Sequence, residues 1–251
     1  MHWVIQQSIF KPDNYKLLTN TLESMGVQYT SVSIPRGTYE LEPNVDPMGK
    51  VYICGAIKMA KIAQGRGWMP GSFLNDQFRF DIWLKELGDE LLNVDITTGK
   101  LSNIKPDQFT KFFIRPLEDN KAFDGMVIDN EILKDWCQDP TKSYLYNVDV
   151  VVSPVKKIYR EYRIFVVNNR VITGSVYKVS GKPQISNLVE STVIEYANEI
   201  IKRWVPIESF VVDIGMTEHG LKVLEFNNIN SSSFYASDVQ KYVYAIQAEY
   251  S

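Results

Sequence analysis

The stretch FVVDIGMTEHGLKVLEFNNIN, residues 210–230, decides the fold. Its apolar runs at 210–214 and 221–226 read as two strands, and the short segment 215–220 reads as a hairpin loop between them. Asp213 sits at the end of the first run. Glu225 and Asn227 lie two apart on the second, so they point to the same face. A tight hairpin brings Asp213 beside them. Two carboxylates and an amide oxygen are hard donors, suited to a Mg²⁺ ion that also holds phosphate oxygens. The alternative is that Asp213 and Asn227 belong to turns and Glu225 faces solvent. Against it, one carboxylate is set among Val211, Val212 and Ile214 and the other follows Val223 and Leu224, and a buried charge without a partner is costly.

Upstream lies a second hairpin. The runs 162–167 and 170–177 read as strands, and Asn168-Asn169 suits a type I′ turn between them. Glu161 and Arg163 share a face where the first strand opens. The Arg163 fork is fitted to phosphate, and Glu161 to orienting it or approaching a metal; a cross-strand surface salt bridge is the other reading. Lys178 follows the second strand and, taken alone, reads as a solvated lysine. Arg115 ends the strand at 109–114 and is held by Pro116; a phosphate contact and a solvated charge fit it equally. The polar loop 117–125 carries Lys121 and a single glycine, and matches neither a P-loop nor a dinucleotide-binding GxGxxG. A further strand at 148–152 and a helix at 191–204 complete the pattern, an antiparallel sheet with helices on one face. Cations on phosphates beside a carboxylate-held Mg²⁺ are the means of phosphoryl transfer.

Residues 1–95 differ. A strand at 3–9, a helix at 13–25 stopped by Gly26, and a strand at 27–34 open a small α/β unit. A loop at 35–50, a strand at 51–55 and helices at 56–63 and 78–87 follow, with no evident chemistry. The expected organisation is an α+β domain over 96–251 preceded by this α/β domain over 1–95.

Composition narrows the function. With 251 residues and a net charge of −3 the chain is no strongly basic nucleic-acid binder, and its 14 tyrosines and 5 tryptophans are dispersed like core residues. Two histidines leave little for histidine metal sites or Ser-His-Asp triads, and two cysteines fit a reducing cytoplasm. No secretory signal and no apolar run of about 20 residues is present, so no membrane partner is expected.

The segments FFIRP (112–116), KAFDG (121–125), EYRIFVV (161–167), SVYK (175–178), FVVDIG and LEFNNIN (224–230) together resemble the ATP-grasp superfamily. More narrowly, they resemble the clade named for two arginines and a lysine, found in bacterial and phage genomes. GRGWMPGSFLN (65–75) and LLNVD (91–95) are similar to that clade's N-terminal part. The resemblance implies an ATP-grasp fold, with ATP sandwiched between two α+β subdomains. It implies Arg115 and Lys121 on the nucleotide phosphates, and the strand at 149–153, with Val151, Val152 and Ser153, as the hinge that bonds adenine. Pro154 departs from the acidic residue many members carry. Arg163 and Lys178 become catalytic cations beside Glu161, and Asp213, Glu225 and Asn227 the Mg²⁺ ligands. The implied activity is an ATP- and Mg²⁺-dependent ligation of a small-molecule or peptide carboxylate to an amine through an acyl-phosphate. A phosphotransferase on the same fold and a non-catalytic nucleotide-binding module are the alternatives. Candidate acceptor-lining residues are Arg66, Trp68, Asn75, Tyr177, Ser231, Ser232, Ser233 and Tyr235, with packing the favoured role for Trp68.

Overall fold

A computed structural model describes residues 1–106, 108–118 and 122–251. The chain opens with β1 (His2–Gln6), α1 (Pro12–Ser24), β2 (Tyr29–Val32), β3 (Val51–Cys54), α2 (Ile57–Gly65) and β4 (Pro70–Gly71). The strands form a parallel sheet in the order β2-β1-β3-β4. Pro12 starts α1 where its missing N–H is not needed, and Gly26 at φ 66° ends it. Burial on both faces explains why β3 reads as an unbroken apolar run, VYIC.

After α3 (Phe80–Leu87) come β5 (Thr97–Lys100), β6 (Lys111–Pro116), β7 (Met126–Asp129), α4 (Asn130–Gln138) and β8 (Asp149–Pro154). They build a small antiparallel sheet ordered β5-β8-β6-β7. Alternation sorts its side chains. Phe112, Ile114, Val150 and Val152 pack with Leu133 of α4, and Phe113 and Arg115 look the other way, into a cleft.

The last unit comprises β9 (Ile158–Val167), β10 (Arg170–Val179), β11 (Lys182–Ser186), α5 (Ser191–Arg203), β12 (Phe210–Thr217), β13 (Gly220–Asn227) and α6 (Val239–Tyr250). Its sheet runs β11-β10-β9-β12-β13. Asn168 and Asn169 turn the β9–β10 hairpin with φ of 47° and 57°, as a type I′ turn requires. The β12–β13 hairpin is tighter than the expected 215–220 loop: the strands pair through Thr217 and Gly220, leaving Glu218 and His219 as the turn. Helices on one face alone is also corrected. Val193, Ala197 and Ile200 of α5 cover Ile164, Val166 and Val212, whereas α6 and the N-terminal sheet cover Phe165, Val167 and Val211 on the opposite face. The second face is closed at only one end; its other end carries the charged residues.

Asn230 joins the N-terminal sheet to this layer. Its buried amide donates to the carbonyls of Ile53 (2.7 Å) and Gly71 (3.3 Å) and accepts from the Phe73 amide (2.8 Å) and the Ser72 hydroxyl (3.3 Å). No helix among the described residues is long and apolar enough to cross a membrane.

Candidate functional site

The open end of the large sheet faces the small sheet across a cleft of about 610 Å³. Register builds its floor. Ser175 of β10, Arg163 of β9, Asp213 of β12 and Glu225 of β13 are successive cross-strand partners, so their side chains form one transverse row. Lys178 pairs with Glu161, and Glu161 with Gly215, in the next row. Two irregularities adjust the pattern. Tyr177 is the extra residue between Val176 and Lys178, and Leu224 the extra residue opposite the Asp213/Ile214 step. The first lets the adjacent Tyr177 and Lys178 both reach Glu161.

Arg163 grips Asp213 with two parallel hydrogen bonds, Nε to Oδ1 at 2.9 Å and Nη2 to Oδ2 at 2.7 Å. Its guanidinium also lies 5.6 Å from the Tyr177 ring and 5.1 Å from the Tyr235 ring, which stack on each other at 5.0 Å. Lys178 Nζ is 3.1 Å from Glu161 Oε1, and the Tyr177 hydroxyl donates to Oε2 at 2.7 Å. Arg115 reaches across from the small sheet, its Nη1 3.2 Å from Glu225 Oε2 and its guanidinium over the rings of Trp83 and Phe80. Asn227 Nδ2 donates to Glu225 at 3.0 Å and to Asp213 at 3.4 Å.

Burial pushes the Asp213 carboxyl up to about 6, against the lowering pull of Arg163. Burial also opposes the Arg163 charge, but the Asp213 carboxylate and its hydrogen bonds outweigh that and raise the guanidinium further. The Tyr177 phenol is held well above its usual range by burial and by the surrounding carboxylates, so it stays a donor.

Of the residues singled out in the sequence, Arg115, Glu161, Arg163, Lys178, Asp213 and Glu225 line this one cleft. Asn227 stands directly behind two of them. Lys121 lies outside the described residues. Val151, Val152 and Ser153 are fully buried within β8, which β6 pairs from Val150 to Pro154 and β5 pairs as far as Val152. The wall there is made by Val155 and Lys156, just past the strand, and the Ser153 hydroxyl has no hydrogen-bond partner among the described residues. Of the candidate acceptor residues, Tyr177 and Tyr235 line the cleft, and the Ser233 carbonyl accepts from Arg163 at 3.5 Å. Arg66 instead binds Asn44 and the Val45 carbonyl, Trp68 is buried in the N-terminal core, and Asn75 donates to the Pro206 carbonyl. Ser231 and Ser232 turn back to the Asn228 carbonyl. Sequence reading passed over Phe113, Lys156 and Leu224 as cleft residues, and Phe80 and Trp83 as the support of Arg115. The only signal for the last two was the apolar face of α3.

The hairpin donors suit magnesium. Asp213 and Glu225 face each other across strands, and a half-turn of the Asn227 amide presents Oδ1 to the same point. Among the described residues no three His, Cys, Asp or Glu side chains gather as a metal cage. One or two carboxylates, completed by phosphate oxygens and water, are the usual ligands of a nucleotide-bound Mg²⁺, and this donor set fits them.

The architecture recurs in solved structures that share the ATP-grasp fold. A RimK domain protein ATP-grasp from Sphaerobacter thermophilus superposes with a TM-score of 0.63 at 10% identity, covering 92% of each chain. D-cycloserine synthetase gives 0.64 at 12% identity over 98% of each chain. A D-alanine–D-alanine ligase from Bacillus anthracis gives 0.63 at 10% identity, over 99% of this chain and 92% of that one. No curated protein matches the sequence. Residues 92–245 match the second ATP-grasp domain family of the clade named for two arginines and a lysine, and the chain belongs to that family.

Proposed function

We propose that this protein is an ATP- and Mg²⁺-dependent ligase that joins a carboxylate to an amine through an acyl-phosphate. The observation that carries the reading is the single row Arg163–Asp213–Glu225, met from the opposite sheet by Arg115. Asp213, Glu225 and Asn227 would hold the metal, which supplies charge neutralisation on the transferring phosphoryl group. Arg115, Arg163 and Lys178 hold the phosphate oxygens and stabilise the charge that spreads over them in transfer. Val155, Lys156, Phe113 and Leu224 form the walls against which a base stacks. The carboxylate oxygen attacks phosphorus and ADP leaves; the amine then attacks the acyl carbon and phosphate leaves. No side-chain nucleophile is needed, since positioning and charge do the work. Glu161, held by Tyr177 and Lys178, orients that lysine. Residues 1–95 form the preceding domain and 96–251 the ATP-grasp domain, a division supported by the family match beginning at 92.

Supporting the ligase outcome, solved relatives of this fold include D-cycloserine synthetase and the D-alanine–D-alanine ligase. The test is ADP release with Mg²⁺, ATP and a pool of amino acids and short peptides, beside Glu225→Gln. Release that requires two acceptors, yields an amide, and vanishes in the variant is expected. A phosphorylated acceptor in place of an amide would make the protein a phosphotransferase, and release unchanged in Glu225→Gln would remove the hairpin from the mechanism.

A further inference from the structure

Among the described residues, three of the four cations lining the cleft face a carboxylate that also lines it: Arg163 faces Asp213, Arg115 faces Glu225, and Lys178 faces Glu161. The Arg115 pair differs from the other two because it spans the cleft, from β6 on the small sheet to β13 on the large one. The Arg115 side chain is only 10% exposed and lies against Trp83 and Phe80, so its charge needs a nearby counter-charge. Glu225, 34% exposed, supplies one from the side of the cleft that solvent and ligands reach.

We propose that Glu225, aided by Asp213, selects metal-bound nucleotide over metal-free nucleotide by competing with phosphate for the arginines until a divalent cation takes the carboxylates. The proposal rests on the reading of the cleft as a Mg²⁺–nucleotide site. A phosphate that reaches Arg115 alone displaces Glu225 and leaves a carboxylate beside an anion. A divalent cation that reaches Glu225 alone displaces Arg115 and leaves a buried guanidinium without its counter-charge. Arriving together, the two ligands leave neither group stranded. Each therefore raises the other's affinity, and by linkage the two effects are equal. The carboxylates thus act as ligands and as gatekeepers that exclude other anions, including inorganic phosphate.

Calorimetric titration with ADP, in excess Mg²⁺ and in EDTA, tests this on the native protein and on Glu225→Gln, whose folding is checked by its melting temperature. The native chain is expected to bind ADP on the order of tenfold more tightly with Mg²⁺. In Glu225→Gln the metal-free ADP should bind more tightly than to the native chain, roughly fivefold, and the advantage of Mg²⁺ should shrink. Arg115→Met supplies an independent arm: Mn²⁺ alone, followed by electron spin resonance, should bind it more tightly than the native chain. Metal-free ADP binding that is unchanged or weaker in Glu225→Gln overturns the proposal, as does Mn²⁺ binding unchanged in Arg115→Met. Native protein that binds ADP equally well in EDTA and in Mg²⁺ overturns it too while leaving a nucleotide site. Absence of ADP binding by the native chain under both conditions overturns the nucleotide-site reading along with it.

Discussion

Replacing Asn230 by alanine removes the junction between the N-terminal sheet and the layer that carries the cleft. The amide is fully buried and uses both hydrogens and its oxygen on four partners, two at 2.7 and 2.8 Å and two at 3.3 Å. The truncation removes the side-chain donor of the Ile53 and Gly71 carbonyls and the side-chain acceptor of the Phe73 amide and the Ser72 hydroxyl, whose oxygen still accepts from the Leu74 amide and Asn228. Counting the two short bonds in full and the two long ones at about half, at about 1–1.5 kcal/mol for each full bond, gives a loss of roughly 3–4.5 kcal/mol. In a chain of this size that corresponds to a fall of roughly 6–18 °C in melting temperature. Urea unfolding followed by tryptophan fluorescence measures it. Asn230→Asp separates hydrogen bonding from volume, since it keeps the shape but loses two donors. Burial beside two carbonyls raises the pKa of the new carboxyl above its unfolded value, so the folded form binds more protons. The variant should therefore lose stability as pH rises above the unfolded value of about 4, a slope in the opposite sense to a paired carboxylate. A loss under about 1 kcal/mol in Asn230→Ala would refute the reasoning, because the four groups would then have found other partners.

Three further outcomes are expected. Asp213 takes up its proton near pH 6, above the ordinary 3.8, so Mg²⁺–ADP affinity should fall as pH drops through 6. Ionising this buried group costs the fold, so its own contribution to stability falls as pH rises from 3.8 to 6; affinity unchanged down to about pH 5 would contradict both statements. A Cβ at Gly71, where φ is +61°, would stand 2.5 Å from the Trp68 carbonyl oxygen. Gly71→Ala should cost roughly 2–4 kcal/mol in denaturant unfolding, whereas Gly99→Ala, with open space around it, should change stability by under about 0.5 kcal/mol. Finally, burial pushes the Cys54 thiol up to about 12 and Cys137 is partly exposed, so a thiol reagent should label Cys137 in the native protein and Cys54 only after unfolding.

Much of the fold is visible in the chain because its signals are local. The alternation and turn residues around Asn168-Asn169 mark one hairpin, and the apolar runs around Asp213 and Glu225 mark another. Each needs only neighbouring residues to be read. Helices α4 and α6 carry local signals too, which a reading centred on the strands passes over: Leu133 and Trp136 recur at helical spacing in α4, and Val239, Tyr242, Val243 and Ile246 form a buried i, i+3, i+4, i+7 stripe in α6. The hinge strand is obscured in another way. The resemblance implies it as a hinge, and the chain does not announce that β5, some way upstream, pairs with β8 as far as Val152 and leaves Ser153 beyond the end of that pairing.

The sequence by itself determined which charged groups sit on which strands, since strand period and hairpin turns dictate side-chain direction. On that basis alone Glu161, Arg163, Asp213 and Glu225 belong to a shared purpose. What only the tertiary structure decided was who partners whom. The cross-strand register sets Arg163 on Asp213, a bulge at Tyr177 turns two adjacent residues onto Glu161, and the approach of the small sheet brings Arg115 to Glu225. Those contacts join residues 50 or more positions apart in the first and last cases, and electrostatic pairing depends on distance in space, which the order of residues along a chain does not encode.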